Sequence, residues 1–379
     1  MKYFVIAGEA SGDLHASNLL RALKEQDPEA QFKGLGGDLM AAQGCKLVQH
    51  YRDMAYMGFV DVIIHLRTIL GIMSKAKQAV QDYRPDVVIL VDYPSFNLQM
   101  AKYVKKKLPG TTVFYYIAPK VWAWKSWRVK SIRKYVDRVF SILPFEVEWF
   151  GKRGCEVSYV GNPCVDAVEA REHKGETVTE FSARTGVPTG KPLLALLPGS
   201  RVSELSGNLP DMLKAASAFP QFHIVIAGAP ALPKDLYNQY TKDFNCSVVY
   251  GETYQLLQQA ELAVVTSGTA TLETALMRVP QVVVYQIAGG KIVYWILRKI
   301  IRVKSVSLVN LIADREVVTE LLGYNFNAVS LKDELGKLVA PAEKRQRMLA
   351  EYGELAEQLG SEPVSKRAAR EMLERITSK

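Results

Sequence analysis

No stretch of this chain approaches the roughly 20 consecutive apolar residues that a membrane-spanning helix needs, so a protein that does not cross a bilayer is expected. Cysteine is scarce: Cys45, Cys155, Cys164 and Cys246 are widely spaced, with no C-x-x-C pair. Neither a disulfide framework nor a zinc site is indicated, and a reducing compartment fits best. The opening MKYFVIAGEASGD carries one lysine and then only five apolar residues before glycine and glutamate, too few for the apolar region of a signal peptide. Both G-x-G-x-x-G and G-x-x-x-x-G-K-[ST] are missing, which removes support from the dinucleotide and P-loop readings. Asp-x-Asp is missing as well, which weakens a metal-chelating sugar-nucleotide site and favours mechanisms without a metal.

What is present limits the answer further. At 379 residues, and with about 150 residues per domain as a prior, two domains are expected. Hydrophobic residues make up 48% and charged residues 23%, the proportions of a globular protein. The net charge of +9 and pI of about 9.1 point to an anionic partner: a phosphate ligand, a nucleic acid or a membrane surface.

Short β-rich apolar runs recur along the chain at Tyr3–Ala7, Val87–Val91, Thr112–Ile117, Arg138–Leu143, Leu193–Leu197, His223–Ala227, Leu262–Thr266 and Gln281–Tyr285. Each is followed by a loop and a helix-length amphipathic segment. Runs that are apolar throughout indicate strands covered on both faces, as in parallel sheets. This is a doubly wound α/β pattern. Residues 167 to 191 are polar and punctuated by glycine and proline, and read as a linker with a helix in it. Two Rossmann-like domains are expected, residues 1–170 and 186–350, with a cleft between them. The charged, helix-periodic segment 352–379 is expected to pack on the first domain.

Ligands of such sheets bind outside the carboxyl ends of the strands, so each loop after a strand is a candidate. The first is GEASGD, Gly8 to Asp13, where glycines allow close backbone approach and helix N–H groups favour anionic or hydroxyl-rich ligands. A tight βα turn capped by Ser11 or Asp13 explains it equally well. After Val91 comes Asp92, a carboxylate able to act as a general base or simply to form an Asx-turn before Pro94. After Leu197, PGSR places Arg201 at the tip of a buried strand, suited to a departing diphosphate or to a salt bridge with Glu204. After Val265, TSGTATLE brings small hydroxyl residues and a glycine to a helix start, suited to cradling a diphosphate. Glu273, one turn in, could reach a ribose hydroxyl or complement the helix dipole.

GEASGD, PKVWAW from Pro119 to Trp124, LPGSR at 197–201, SGTATLE at 267–273 and SLVNLIADREVVTELL at 307–322 occur in one order over nearly the whole chain. Together they resemble the lipid-A-disaccharide synthases. The resemblance implies a GT-B fold, two Rossmann-like domains whose parallel sheets face a central cleft. It implies inverting, metal-independent transfer of 2,3-diacylglucosamine from its UDP derivative to the 6-hydroxyl of 2,3-diacylglucosamine 1-phosphate. The products would be a β-1,6 disaccharide 1-phosphate and UDP, on the way to lipid A. Asp92 and Arg201 match the family's essential aspartate and arginine. Asp92 is assigned as base; Arg201, Ser200, Ser267, Gly268 and Thr269 as the diphosphate group; Glu273 to the ribose; and Asn310 and Glu316 to the donor side. Gly8, Glu9, Ser11, Asp13, Trp122 and Trp124 are assigned to the acceptor sugar. No cofactor or metal is expected. Val309 stands where the family usually has proline and Asp314 where glycine is common, and Lys120 and the Ser126-Trp127 pair are also unusual.

Diacylated substrates need an apolar surface. FVDVIIHLRTILGIM, Phe59 to Met73, is apolar on almost every face, as a core helix or a lipid-binding helix would be. Phe59, Ile63, Leu66 and Leu70 are its candidate lipid contacts. GGKIVYWILRKIIRVKS, Gly289 to Ser305, mixes Trp295 and aliphatic residues with Lys and Arg, as an interfacial helix beside anionic lipid does. The expected partners are therefore the two lipid sugars and the cytoplasmic face of the inner membrane, with a homodimer implied by the family and no nucleic acid. The basic Lys125–Lys134 stretch with Trp122, Trp124 and Trp127 would also suit RNA, but no RNA-binding signature accompanies it. His15 and His65 are alternatives to Asp92 as base. A 2-epimerase or undecaprenyl-type glucosaminyltransferase of the same architecture, and a non-catalytic membrane-surface protein, are the rival readings.

Overall fold

A computed structural model describes residues 1–53, 66–123, 125–286, 305–339 and 343–377. The chain divides into two compact units, Met1–Pro163 with Ser361–Lys379, and Cys164–Gly360.

The first unit is built on seven parallel strands: β1 (Lys2–Ala7), β2 (Gln31–Gly36), β3 (Lys46–His50), β4 (Val87–Val91), β5 (Thr112–Tyr116), β6 (Arg138–Ser141) and β7 (Val157–Tyr159). Their order is β3-β2-β1-β4-β5-β6-β7. Strand periodicity sorts the apolar runs onto two faces. Tyr3, Val5, Ala7, Val87, Ile89 and Val91 face helix Ala10–Gln26 and helix Val364–Thr377. Phe4, Ile6, Val88 and Leu90 face helices Leu66–Tyr83 and Pro94–Lys107. Each fully buried side chain of this kind contributes about 1.5–3 kcal/mol, which is why these strands are apolar throughout. Tyr3 pairs with Val87 and Ala7 with Val91, so Gly8 and Asp92 leave the sheet at the same level, at its switch point.

The second unit has six parallel strands: β8 (Leu193–Leu197), β9 (His223–Gly228), β10 (Cys246–Tyr250), β11 (Ala260–Thr266), β12 (Gln281–Tyr285) and β13 (Thr319–Leu322). Their order is β10-β9-β8-β11-β12-β13. The connections diverge between β8 and β11, which opens a crevice at their carboxyl ends. The eight expected strands are all present. β2, β3, β7, β10 and β13 are additional, and their short or partly polar sequences, QFKGLG and CSVVY among them, carry no sustained apolar run.

The unit limits differ from those expected in two places, each for a visible reason. Residues 164–176 join the second unit through helix Thr253–Gln259: Arg171 Nε donates to Gln258 Oε1 at 3.3 Å, and Gln255 Nε2 donates to the Glu172 carbonyl at 3.2 Å. Helix Glu343–Leu359 also stays with the second unit, because buried Gln281 Nε2 donates to the Tyr352 hydroxyl at 3.2 Å and Met348 packs beside it. Gly360, at φ +77°, ends that helix. Only Val364–Thr377 packs on the first unit, through Val364, Ala368, Ala369 and Met372. Within the linker, Thr177 and Glu180 form a capping box that starts helix Val178–Thr185.

Candidate active site

In the second unit, loops from four strands converge on a cavity of about 580 Å³. Its lining includes Gly199, Ser200 and Arg201 after β8, Gly228 to Pro230 after β9, Gly251, Thr253 and Tyr254 after β10, and Ser267 to Ala270 with Glu273 after β11. Gly199 has φ +109°, and a Cβ there would lie 2.5 Å from Glu204 Oε2, so the turn requires glycine. Glu204 shapes the loop by accepting from the Ser200 N–H at 3.0 Å and from Arg201 Nη1 at 2.7 Å. The ion pair does not consume the arginine, whose side chain is 69% exposed against 14% for Glu204. The guanidinium stays open to solvent on its other side, so an anionic ligand can compete for it.

Buried Asn208 ties three strand ends together. Its Nδ2 donates to Thr266 Oγ1 at 2.9 Å and to the Pro198 carbonyl at 3.3 Å, and its Oδ1 accepts from the Gln286 N–H at 3.0 Å. Helix Thr269–Leu276 starts beyond Gly268, so Ser267, Gly268 and Thr269 lie at the positive end of a helix dipole. Glu273 accepts from the Tyr254 hydroxyl at 3.0 Å. Burial lifts its carboxyl above the ordinary range, with the Tyr254 hydrogen bond opposing. Tyr254 and the Gly228–Pro230 turn carry no motif in the sequence; the local signal is Gly251 following the strand CSVVY, whose first residues are not all apolar.

Asn310 and Glu316 do not line this cavity. Asn310 is buried, its Nδ2 donating to the Val318 carbonyl and to Glu320 Oε1, its Oδ1 accepting from the Val317 and Val318 N–H groups. Its hydrogen-bonding capacity goes to holding the chain between helix Leu308–Ala313 and β13, while Glu316 is exposed. Asp314 ends that helix at φ 51°, the left-handed geometry that explains a family preference for glycine.

In the first unit, Gly8, Glu9, Asp92 and Tyr93 gather at the β1/β4 switch. A Cβ on Gly8 would lie 2.4 Å from the Tyr93 ring, so glycine lets the two loops touch. Asp92 and Tyr93 are both left-handed, at φ 43° and 47°, an arrangement costly for non-glycine residues. Two buried groups hold it: the Tyr115 hydroxyl and Asn97 Nδ2 each donate to the Asp92 carbonyl at 2.6 Å. Asp92 is exposed to solvent on one side, with protein around its carboxyl. Burial, then the charge of Glu9, raise its proton affinity, against Lys120 and the Tyr93 N–H.

Ser11 is exposed, while Asp13 takes a different place from the one expected of a sugar ligand. It is buried and accepts from the N–H groups of Gly37, Leu39 and Met40 at 2.8, 3.1 and 3.1 Å. Its carboxylate caps helix Asp38–Ala42 and is spent on backbone. Trp122 is half-buried and donates from Nε1 to Glu146 Oε1 at 2.7 Å. Trp124, Phe59, Ile63, His65 and Trp295 lie outside the described residues, as does the Leu66 side chain. Leu70 is described and is 57% exposed, whereas Ile72 and Met73 join the core. Among the described residues no helix is long and apolar enough to cross a membrane, and no cluster of three or more His, Cys, Asp or Glu is placed to hold a metal ion.

Two parallel-sheet α/β units, the second with a cavity at its switch point, define the class expected from the sequence: GT-B proteins. The UDP-GlcNAc 2-epimerase from Neisseria meningitidis, solved with UDP-GlcNAc, superimposes with a TM-score of 0.63 over 100% of both chains at 11% identity. A glycosyltransferase from Rickettsia africae gives 0.59 over 100% of this chain and 99% of its own at 12% identity. These likenesses show the fold. The model of the lipid-A-disaccharide synthetase family matches residues 3–374. The lipid-A-disaccharide synthase of Myxococcus xanthus is 39% identical over 98% of this chain and 97% of its own. The chain belongs to the lipid-A-disaccharide synthase family, and its activity is that of a glycosyltransferase in lipid A biosynthesis.

Proposed function

We propose that the enzyme transfers 2,3-diacylglucosamine from its UDP derivative to the 6-hydroxyl of 2,3-diacylglucosamine 1-phosphate, with inversion and without a metal ion. The observation that carries the reading is the cavity of about 580 Å³ in the second unit, where an exposed arginine, a hydroxyl-bearing helix start and a half-buried carboxyl converge. Ser200, Arg201, Ser267, Gly268 and Thr269 take the diphosphate. As the glycosidic bond breaks, charge grows on the departing UDP, and Arg201 and the helix Thr269–Leu276 dipole stabilise it. Glu273, oriented by Tyr254, accepts from a ribose hydroxyl.

Asp92 accepts the proton of the attacking 6-hydroxyl. Its raised proton affinity suits a general base working near neutral pH. Gly8, Glu9, Ser11 and Trp122 form the sugar-facing edge beside it. The acyl chains are held against the inner face of the inner membrane by Leu70 and its neighbours in 59–73 and by 289–305, and the enzyme works there as a peripheral homodimer. Purified enzyme given both lipid sugars in detergent with EDTA should release UDP only when acceptor is present. Release should collapse in Asp92→Asn and Arg201→Ala. Wild-type UDP binding without acceptor-dependent release would overturn the reading.

A further inference from the structure

Glu146 has no part in the reaction as described, yet it lies at the same edge of the first unit. It is in the first turn of helix Pro144–Gly151, after β6, and is 1% exposed. Trp122 Nε1 donates to its Oε1 at 2.7 Å, and its Oε2 makes a short hydrogen bond with the Ser141 hydroxyl. Ser141 Oγ also lies 3.0 Å from the Leu143 carbonyl and 3.1 Å from the Leu143 N–H. The Trp122 ring meets Phe145 edge-on, with centroids 5.0 Å apart at 83°.

The hydrogen bonds of this cluster accommodate a protonated Glu146, and an ionised one would bury a charge. Ser141 has one hydroxyl proton, and both the Leu143 carbonyl and Glu146 Oε2 are within its reach. If Glu146 is protonated, every group is satisfied: Oε2–H donates to Ser141 Oγ, Ser141 donates to the Leu143 carbonyl, and Trp122 donates to Oε1. If Glu146 is ionised, it draws the Ser141 proton and leaves the Leu143 carbonyl with the Glu146 N–H, at 3.1 Å, as its donor, while a charge lies buried. Burial lifts the Glu146 carboxyl to about 7, against the Ser141 and Trp122 hydrogen bonds. Among the described residues the charged groups facing it are Lys120, from the loop after β5, which opposes the rise, and Asp92, from the loop after β4, which adds to it. On its own helix Glu148 is exposed and pairs with Lys152.

We infer that Glu146 is a positioning residue of the acceptor edge, a buried carboxylic acid working uncharged. It fixes the Trp122 ring and spares that edge a third negative charge, beside Glu9 and Asp92, that would repel an anionic acceptor. The role rests on the reading of this edge as the acceptor side. Trp122 supplies a half-buried aromatic ring for the apolar face of a sugar, and its one polar atom is anchored to Glu146.

Glu146→Gln reproduces the protonated acid, its amide oxygen accepting from Trp122 and its nitrogen donating to Ser141. The test compares the full-length wild type with Glu146→Gln, Glu146→Ala and Trp122→Phe. Tryptophan fluorescence is titrated from about pH 5.5 to about pH 8.5, and acceptor KM is measured at both ends. Wild-type fluorescence should step near pH 7, and the step should vanish in Glu146→Gln and in Trp122→Phe. Acceptor KM should rise with pH in the wild type and stay at its low-pH value in Glu146→Gln. In Glu146→Ala it should rise about tenfold, the fold-change matching a lost hydrogen bond to a buried partner. A step that survives in Glu146→Gln, or a Gln variant as impaired as Ala, would overturn the inference. Should the Ala variant not fold, the Gln variant carries the test alone. The fluorescence arm needs no substrate. A step that behaves as expected beside an acceptor KM unmoved in every variant would sink the acceptor role and leave the buried acid standing.

Discussion

Tyr115→Phe removes a single oxygen from the core of the first unit, and its effect should reach Asp92. The Tyr115 hydroxyl donates to the Asp92 carbonyl at 2.6 Å, and Asn97 Nδ2 donates to the same atom at 2.6 Å. These bonds oppose the strain of two consecutive left-handed residues, Asp92 at φ 43° and Tyr93 at φ 47°, which costs about 1–3 kcal/mol each. Phenylalanine fills the same space, so no cavity forms. What is lost is one buried hydrogen bond, about 0.5–1.5 kcal/mol net, and somewhat more if the carbonyl is left short of donors. A second conformation of the Asp92–Tyr93 turn should then become populated, and kcat should fall about tenfold, the rate equivalent of about 1.4 kcal/mol. UDP affinity should not change, because none of the cavity-lining residues of the second unit is touched. Steady-state kinetics with saturating donor and acceptor, alongside calorimetric UDP titration, reads both. A Tyr115→Phe enzyme with wild-type kcat, or one whose kcat falls only with its melting temperature, would refute the idea that the clamp holds Asp92.

Arg201→Ala should weaken UDP binding about 10- to 100-fold by titration, as expected for a charge-assisted hydrogen bond of about 1.5–3 kcal/mol, while Glu204→Gln should shift it less, since glutamine can still accept from the Ser200 N–H and from Arg201. Gly199→Ala must relieve both φ +109° and a Cβ 2.5 Å from Glu204; UDP binding should be lost and denaturant unfolding should show a cost of about 1–3 kcal/mol. Asp13→Ala strips three N–H groups of their acceptor and should cost about 1–3 kcal/mol of first-unit stability with UDP affinity intact. Glu146 also sets a pH dependence of stability. Its carboxyl rises from 4.5 to about 7 on folding, so its contribution is full below about 4.5 and is lost as pH climbs to about 7. Urea melts of Glu146→Gln should therefore gain on wild type with rising pH across that window and run parallel above it.

Strands covered on both faces announce themselves because burial favours apolar side chains: VVILV and LLALL are such runs, and Asp92 and the PGSR turn follow their carboxyl ends. Loop glycines were legible for the same reason, since few side chains fit at Gly8 or Gly199. Roles that depend on a partner far along the chain were not. Asp13 in GEASGD looks like a ligand until the N–H groups of residues 37 to 40 close on it, and Asn310 looks like a donor contact until residues 317, 318 and 320 take up its amide. Nothing local marks the carboxyl of Glu146 or the phenol of Tyr254 as enclosed; the Trp122 and Glu273 partners that single them out lie 24 and 19 positions away. The polar residues of this sequence therefore divide by what the fold brings to them. Those whose hydrogen bonds are completed by other parts of the chain, as at Asp13 and Asn310, build the loops. Those left with unspent capacity at a strand end, as at Asp92 and Arg201, are the ones proposed above to meet a substrate.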